Sequence, residues 1–121
     1  ATNGGGVCIS TDNGSSFSCR TTANGLASNN VSWLIKNCGK LYIGTTDNGI
    51  SVSSDDGQTF TNRNTTNGLA HNFVQRIIAS SNVVLISTSN GLSISNDYAS
   101  TFSNRTTANG LGGATVNDAK F

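Results

Sequence analysis

The chain has no glutamate, no proline and no methionine, and only 11% of its 121 residues are charged. About a quarter is usual for a globular domain. Its acids are Asp12, Asp47, Asp55, Asp56, Asp97 and Asp118. Glycoside hydrolysis needs an acid and a base flanking the scissile bond. Asp12, Asp55 and Asp97 fall in a recurring turn, which leaves Asp47, Asp56 and Asp118, none of them paired in sequence. No Gly-x-Ser-x-Gly nucleophile turn occurs. The one histidine, His71, has no cysteine or carboxylate at ligand spacing, so neither a metal nor a cofactor is expected. The net charge of +1 provides no field for nucleic acid. No apolar run is long enough to span a bilayer, and membrane insertion is not expected. These deficits point to a protein that is not an enzyme.

What fills the chain instead is Ser, Thr, Asn and Gly. Such a composition is that of secreted repeat proteins, and an extracellular or periplasmic location is expected. Cys8, Cys19 and Cys38 allow at most one internal disulfide and leave one thiol over.

One stretch organises the rest. Ser53-Ser54-Asp55-Asp56-Gly57-Gln58-Thr59-Phe60 returns as Ser10 to Phe17 and as Ser95 to Phe102. Its aspartates lie 43 and then 42 residues apart (12 to 55, 55 to 97). Alternating runs at 7–10, 50–53 and 92–95 enter the motif, and a strand opening on its phenylalanine leaves it. Each copy therefore reads as a β-hairpin whose turn is held by the aspartate, with glycine supplying a positive φ. Ala99 replaces that glycine in the third copy, which predicts a distorted turn. A second signature follows, ending in Asn24-Gly25-Leu26, Asn67-Gly68-Leu69 and Asn109-Gly110-Leu111. Asn-Gly marks a turn. An apolar strand comes next, at Val31–Ile35, Val74–Ala79 and Val116–Phe121, then one more strand at 41–45 and 83–88. Four antiparallel strands in about 43 residues is the unit of a β-propeller. The fold expected is all-β, with a partial blade at 1–27, blades at 28–70 and 71–112, and the first strand of a further blade at 113–121.

The motif Ser-x-Asp-x-Gly-x-Thr-Phe resembles the Asp-box, or BNR repeat, of sialidases, some endoglucanases, sortilin-type receptors and bacterial surface propellers. The Asn-Gly-Leu segment with its apolar strand resembles propeller repeats of bacterial two-component sensors. The resemblance implies a propeller fold, and a structural turn role for Asp12, Asp55 and Asp97 away from the active face. It does not extend to sialidase chemistry, since the arginine cluster and the tyrosine–glutamate pair have no counterpart.

Aligned to the middle repeat, Ala1 corresponds to Gly44 and Phe121 to Lys36, so the equivalents of residues 37–43 would complete a third repeat. Closed propellers have four to eight blades. The expectation is that blades are completed by another copy or by a longer chain, as a ring or a filament, and two copies would give six blades. The leading function is a non-catalytic secreted or surface binding and assembly module, its partners being itself and a glycan or protein. The alternative is a fragment of a glycan-processing propeller enzyme.

Ligand-binding residues are sought where the repeat differs. Trp33, Arg76 and Asp118 hold equivalent positions on the apolar strand, and His71 lies in the loop upstream of Arg76. In a propeller these positions approach the central channel, where a Trp, an Arg, an Asp and a His could hold a sugar. The competing reading packs Trp33 within a blade and Arg76 between blades. Arg20, Arg63 and Arg105 recur, which favours a structural role. Cys8 and Cys19 flank the first motif symmetrically, so a hairpin there would set them directly opposite and within reach of a disulfide.

Overall fold

Apolar residues alternating with serine and threonine build strands with two unlike faces. The structure, a computed structural model, describes all 121 residues and contains ten strands and three single turns of 3-10 helix. β1 (Val7–Ile9) and β2 (Ser18–Arg20) form a two-stranded antiparallel hairpin. β3 (Val31–Asn37), β4 (Lys40–Thr45), β5 (Ile50–Ser53) and β6 (Thr61–Arg63) form a four-stranded antiparallel sheet in chain order. β7 (Val74–Ser80), β8 (Val83–Thr88), β9 (Gly91–Ser95) and β10 (Ser103–Arg105) form a second. The opening strands β3 and β7 pack on one another, which sets the two sheets face to face. No helix is long and apolar enough to cross a membrane.

Two apolar layers hold this stack. Tyr42 and Ile50 from the first sheet meet Val74, Ile77, Val84 and Ile86 from the second, all fully buried. Val7 of the hairpin meets Leu26, Val31, Leu41 and Ile43 in the other layer. Each such aliphatic side chain contributes about 1.5–3 kcal/mol on burial. The faces alternate along β4: Leu41 and Ile43 point to the hairpin, and Tyr42 points to the second sheet.

The 3-10 turns, Thr22–Asn24, Thr65–Asn67 and Thr107–Asn109, fall on the Asn-Gly-Leu signature. Gly25, Gly68 and Gly110 close them at φ of 90 to 93°, and Leu26 and Leu69 then enter the core. The sheets are also clasped by polar pairs. Ser51 Oγ donates to Asn62 Oδ1 at 2.7 Å and accepts the Ala27 N–H at 2.9 Å, while Asn62 Nδ2 donates to Gly25 O at 3.0 Å. Ser93 and Asn104 make the same three bonds to each other, to Ala70 and to Gly68.

Four details differ from what the sequence predicts. The strands after the motif begin one residue beyond the phenylalanine, and Phe17 is 64% exposed rather than core. Phe60 and Phe102 pack into the layer formed with the preceding sheet or hairpin. Phe17 has no preceding sheet to pack on. Residues 113–121 form no strand. Val116 N–H donates to Thr88 O at 3.0 Å, as Val31 N–H does to Thr2 O at 3.1 Å, and no ladder extends beyond that bond. The turn at Ala99 is not distorted, for the reason given next.

Candidate functional site

The three recurring turns share one hydrogen-bond pattern. In each, the serine hydroxyl of Ser10, Ser53 or Ser95 donates to the aspartate Oδ1 at 2.7 Å. The same serine oxygen accepts the N–H of Gly14, Gly57 or Ala99 at 2.8 Å. The aspartate Oδ1 accepts the N–H of Ser16, Thr59 or Thr101 at 2.9 Å. The hydroxyls of those three residues donate to Oδ2 at 2.5–2.6 Å. These donors favour the ionised carboxylates. The pKa values of Asp12, Asp55 and Asp97 are accordingly held at about 2, above all by the Ser16, Thr59 and Thr101 hydroxyls. Each carboxylate is thereby committed to its own turn, Oδ1 accepting at least two bonds and Oδ2 one. Ala99 adopts φ 65° and keeps every bond of the pattern, so alanine tolerates the turn that glycine makes elsewhere.

The inner edge brings together three of the four candidate ligand residues. A register shift between Val31 and Trp33, repeated between Val74 and Arg76, re-aims both side chains. The Arg76 guanidinium lies 4.7 Å from the Trp33 ring centroid. Arg76 NH1 donates to Asp118 Oδ2 at 2.9 Å, both side chains being over a third exposed. A continuous Trp33–Arg76–Asp118 stack results. It ties β3, β7 and the segment after residue 112 to one another. Three buried polar atoms on this edge have no hydrogen-bond partner: Ser32 Oγ, Trp33 Nε1 and Arg76 Nε. Such atoms are uncommon in a folded protein. His71 is apart from the stack. It is exposed, and its Nδ1 accepts the Phe73 N–H at 3.0 Å. Ser28, at the equivalent position, accepts the Asn30 N–H at 3.1 Å, so both residues brace the same loop.

The other acids are individually engaged. Asp56 pairs with Lys36 at 2.6 Å on the surface, and Asp47 accepts from Asn30 Nδ2 at 3.1 Å. No group of three His, Cys, Asp or Glu side chains is placed to hold a metal ion. Cys8 and Cys19 are direct cross-strand partners joined by a disulfide, and Cys38 is a free, exposed thiol in the β3–β4 turn. The disulfide occupies the position where Ser51–Asn62 and Ser93–Asn104 clasp a preceding loop.

One groove is apolar. It runs between the β1–β2 hairpin and the first sheet, has a volume of about 430 Å³, and is lined by Val7, Ile9, Leu34 and Leu41. Leu34 stands 37% exposed at its side. The sequence hinted at this groove only through the missing inner strands of the first repeat. A family model described as the DUF6242 beta propeller domain matches residues 2–112. No curated protein matches the chain.

Proposed function

The chain belongs to the DUF6242 beta propeller domain family, and from that premise we propose that it is a non-catalytic secreted or surface module for binding and assembly. Its sheets are propeller blades on a repeat of about 43 residues, with turns of the Asp-box kind. The observation that carries the assembly reading is the β1–β2 hairpin. It holds two outer strands and no inner pair, and the apolar groove beside it is open. Strands from another copy or from a longer chain would cover that groove and extend the ladder. A head-to-tail contact of this kind closes into a ring or grows as a filament.

The ligand is a glycan or a protein, taken at the inner edge. Support comes from the stack itself, where the Arg76 and Asp118 side chains are over a third exposed and offer a donor and an acceptor beside the Trp33 ring. The aspartates favour a non-catalytic role, since each is engaged in a turn, an ion pair or a side-chain hydrogen bond.

Light scattering over a concentration series tests the assembly. A discrete dimer or a ladder of larger masses is expected. A monomer at every concentration would refute completion by a second copy. In the same samples, titration with neutral oligosaccharides should change the Trp33 emission, and an unchanged spectrum would refute glycan binding at the inner edge.

A further inference from the structure

Two clefts at the outer edge hold equivalent residues and differ in charge. In the first, between the β1–β2 hairpin and the Asp55 turn, Arg20 Nε donates to Gly57 O at 3.0 Å and its NH1 to Ser18 Oγ at 2.8 Å. Asp56 lines the same cleft. In the second, between β5–β6 and the Asp97 turn, Arg63 takes the place of Arg20. Its one hydrogen bond runs from NH1 to Asn62 O at 3.2 Å. Thr61 stands where Ser18 does and holds no guanidinium. Tyr98 stands where Asp56 does, so the acid is gone. Lys40, whose counterpart in the next sheet is Val83, enters the cleft with its Nζ 5.5 Å from the Tyr98 ring centroid.

Two cations therefore face one carboxylate. That carboxylate is held by its own turn: Asp97 Oδ1 accepts from Ser95, Ser100 and Thr101, and Oδ2 accepts from the Thr101 hydroxyl. The cleft has a volume of about 190 Å³, and Ser54, Thr61 and Ser100 add hydroxyls to its wall.

We propose that this cleft binds the carboxylate of a single uronic acid residue within an acidic polysaccharide. The Arg63 guanidinium is free to meet a planar carboxylate with its fork, and Lys40 adds a point charge beside it. The wall hydroxyls match the hydroxyls of a pyranose ring, and the volume suits one ring. A sulfate group shares the charge without the planar geometry. The site is separate from the inner edge, because neither Trp33 nor Arg76 lines it.

Calorimetric titration with trigalacturonate tests the proposal, with its methyl ester as the uncharged control. Saturable binding of trigalacturonate and none of the ester is expected. Arg63→Ala and Lys40→Gln should each weaken binding by about tenfold or more, as loss of one charge-assisted contact requires. Arg20→Ala should leave it within about twofold, since that side chain lies in the other cleft. Lys40→Gln carries the test if Arg63→Ala lowers the melting temperature. Saturable binding of the ester, equal losses from Arg20→Ala and Arg63→Ala, or no binding at millimolar trigalacturonate would each overturn it. Tighter binding of a sulfated trisaccharide would overturn the carboxylate assignment. Particle mass is read in parallel, so a monomer that binds trigalacturonate fails the assembly reading and keeps this one.

Discussion

Alanine in place of Gly57 should destabilise the protein by about 2 kcal/mol, and adding Ile9→Val should recover about a quarter of that loss. Gly57 has φ +84°, a region that costs a residue bearing a Cβ about 1 kcal/mol. A Cβ there would lie 2.6 Å from Ile9 Cδ1 but 3.8 Å from Leu41 Cδ2 and Phe60 Cζ. Only the first contact is a clash. To relieve it Ile9 must leave its rotamer, at about 1 kcal/mol. Valine at position 9 has no Cδ1, and at a half-buried site costs about 0.5 kcal/mol by itself. The junction between the second and third repeats already carries both changes. Ala99 stands for Gly57 at φ 65°, and Val52 stands for Ile9, the two lining one cleft. Urea unfolding of the parent, both single variants and the double variant gives the coupling. A favourable coupling of about 1 kcal/mol is expected. Additivity within about 0.3 kcal/mol would refute the claim that one methyl group decides which residue the turn accepts.

Acid should destabilise the protein chiefly between about pH 4 and pH 2. Asp12, Asp55 and Asp97 have folded-state values of about 2 against 3.8 for the free group. Their stabilisation is complete above the unfolded value and is lost as pH falls through the folded one. Asp55→Asn should remove about a third of the slope of melting temperature against pH in that window, and an unaltered slope would count against the turns as the acid-labile elements. Tyr42→Phe should stabilise the protein by about 1 kcal/mol. The Tyr42 hydroxyl is fully buried without a partner, and burial raises its pKa. A loss of stability in thermal unfolding would show that the hydroxyl has a partner. Ser93→Ala strands the Ala70 N–H and should cost about 1–2 kcal/mol, read as faster amide exchange at Ala70. Protection equal to the parent's would discount the clasp.

The hairpins and their turns were legible because everything they need lies close by in the chain. Asp55 finds its donors at Ser53, Gln58 and Thr59, within four residues, so the motif alone dictates the geometry. The all-β fold followed from the same local patterns repeated. Contacts between sheets were not legible, since they depend on residues some forty positions away. Ala99 looked like a damaged turn, yet it keeps its bonds, and Val52 of the previous repeat lines its cleft where Ile9 meets Gly57. Phe17 looked like core from its place in the motif, yet only Phe60 and Phe102 pack against a core layer. Alignment placed Trp33, Arg76 and Asp118 at equivalent points but could not show that they stack on one another. His71 resembled a fourth member and instead braces its loop. The arginines show the same limit. Arg20, Arg63 and Arg105 recur, which argued for one shared role, but Arg20 reaches Gly57 O and Arg63 reaches no neighbouring sheet. Recurrence marks a shared backbone position, and the facing sheet decides what contact is made from it. A search for function in this chain therefore has to include recurring residues whose neighbours have changed.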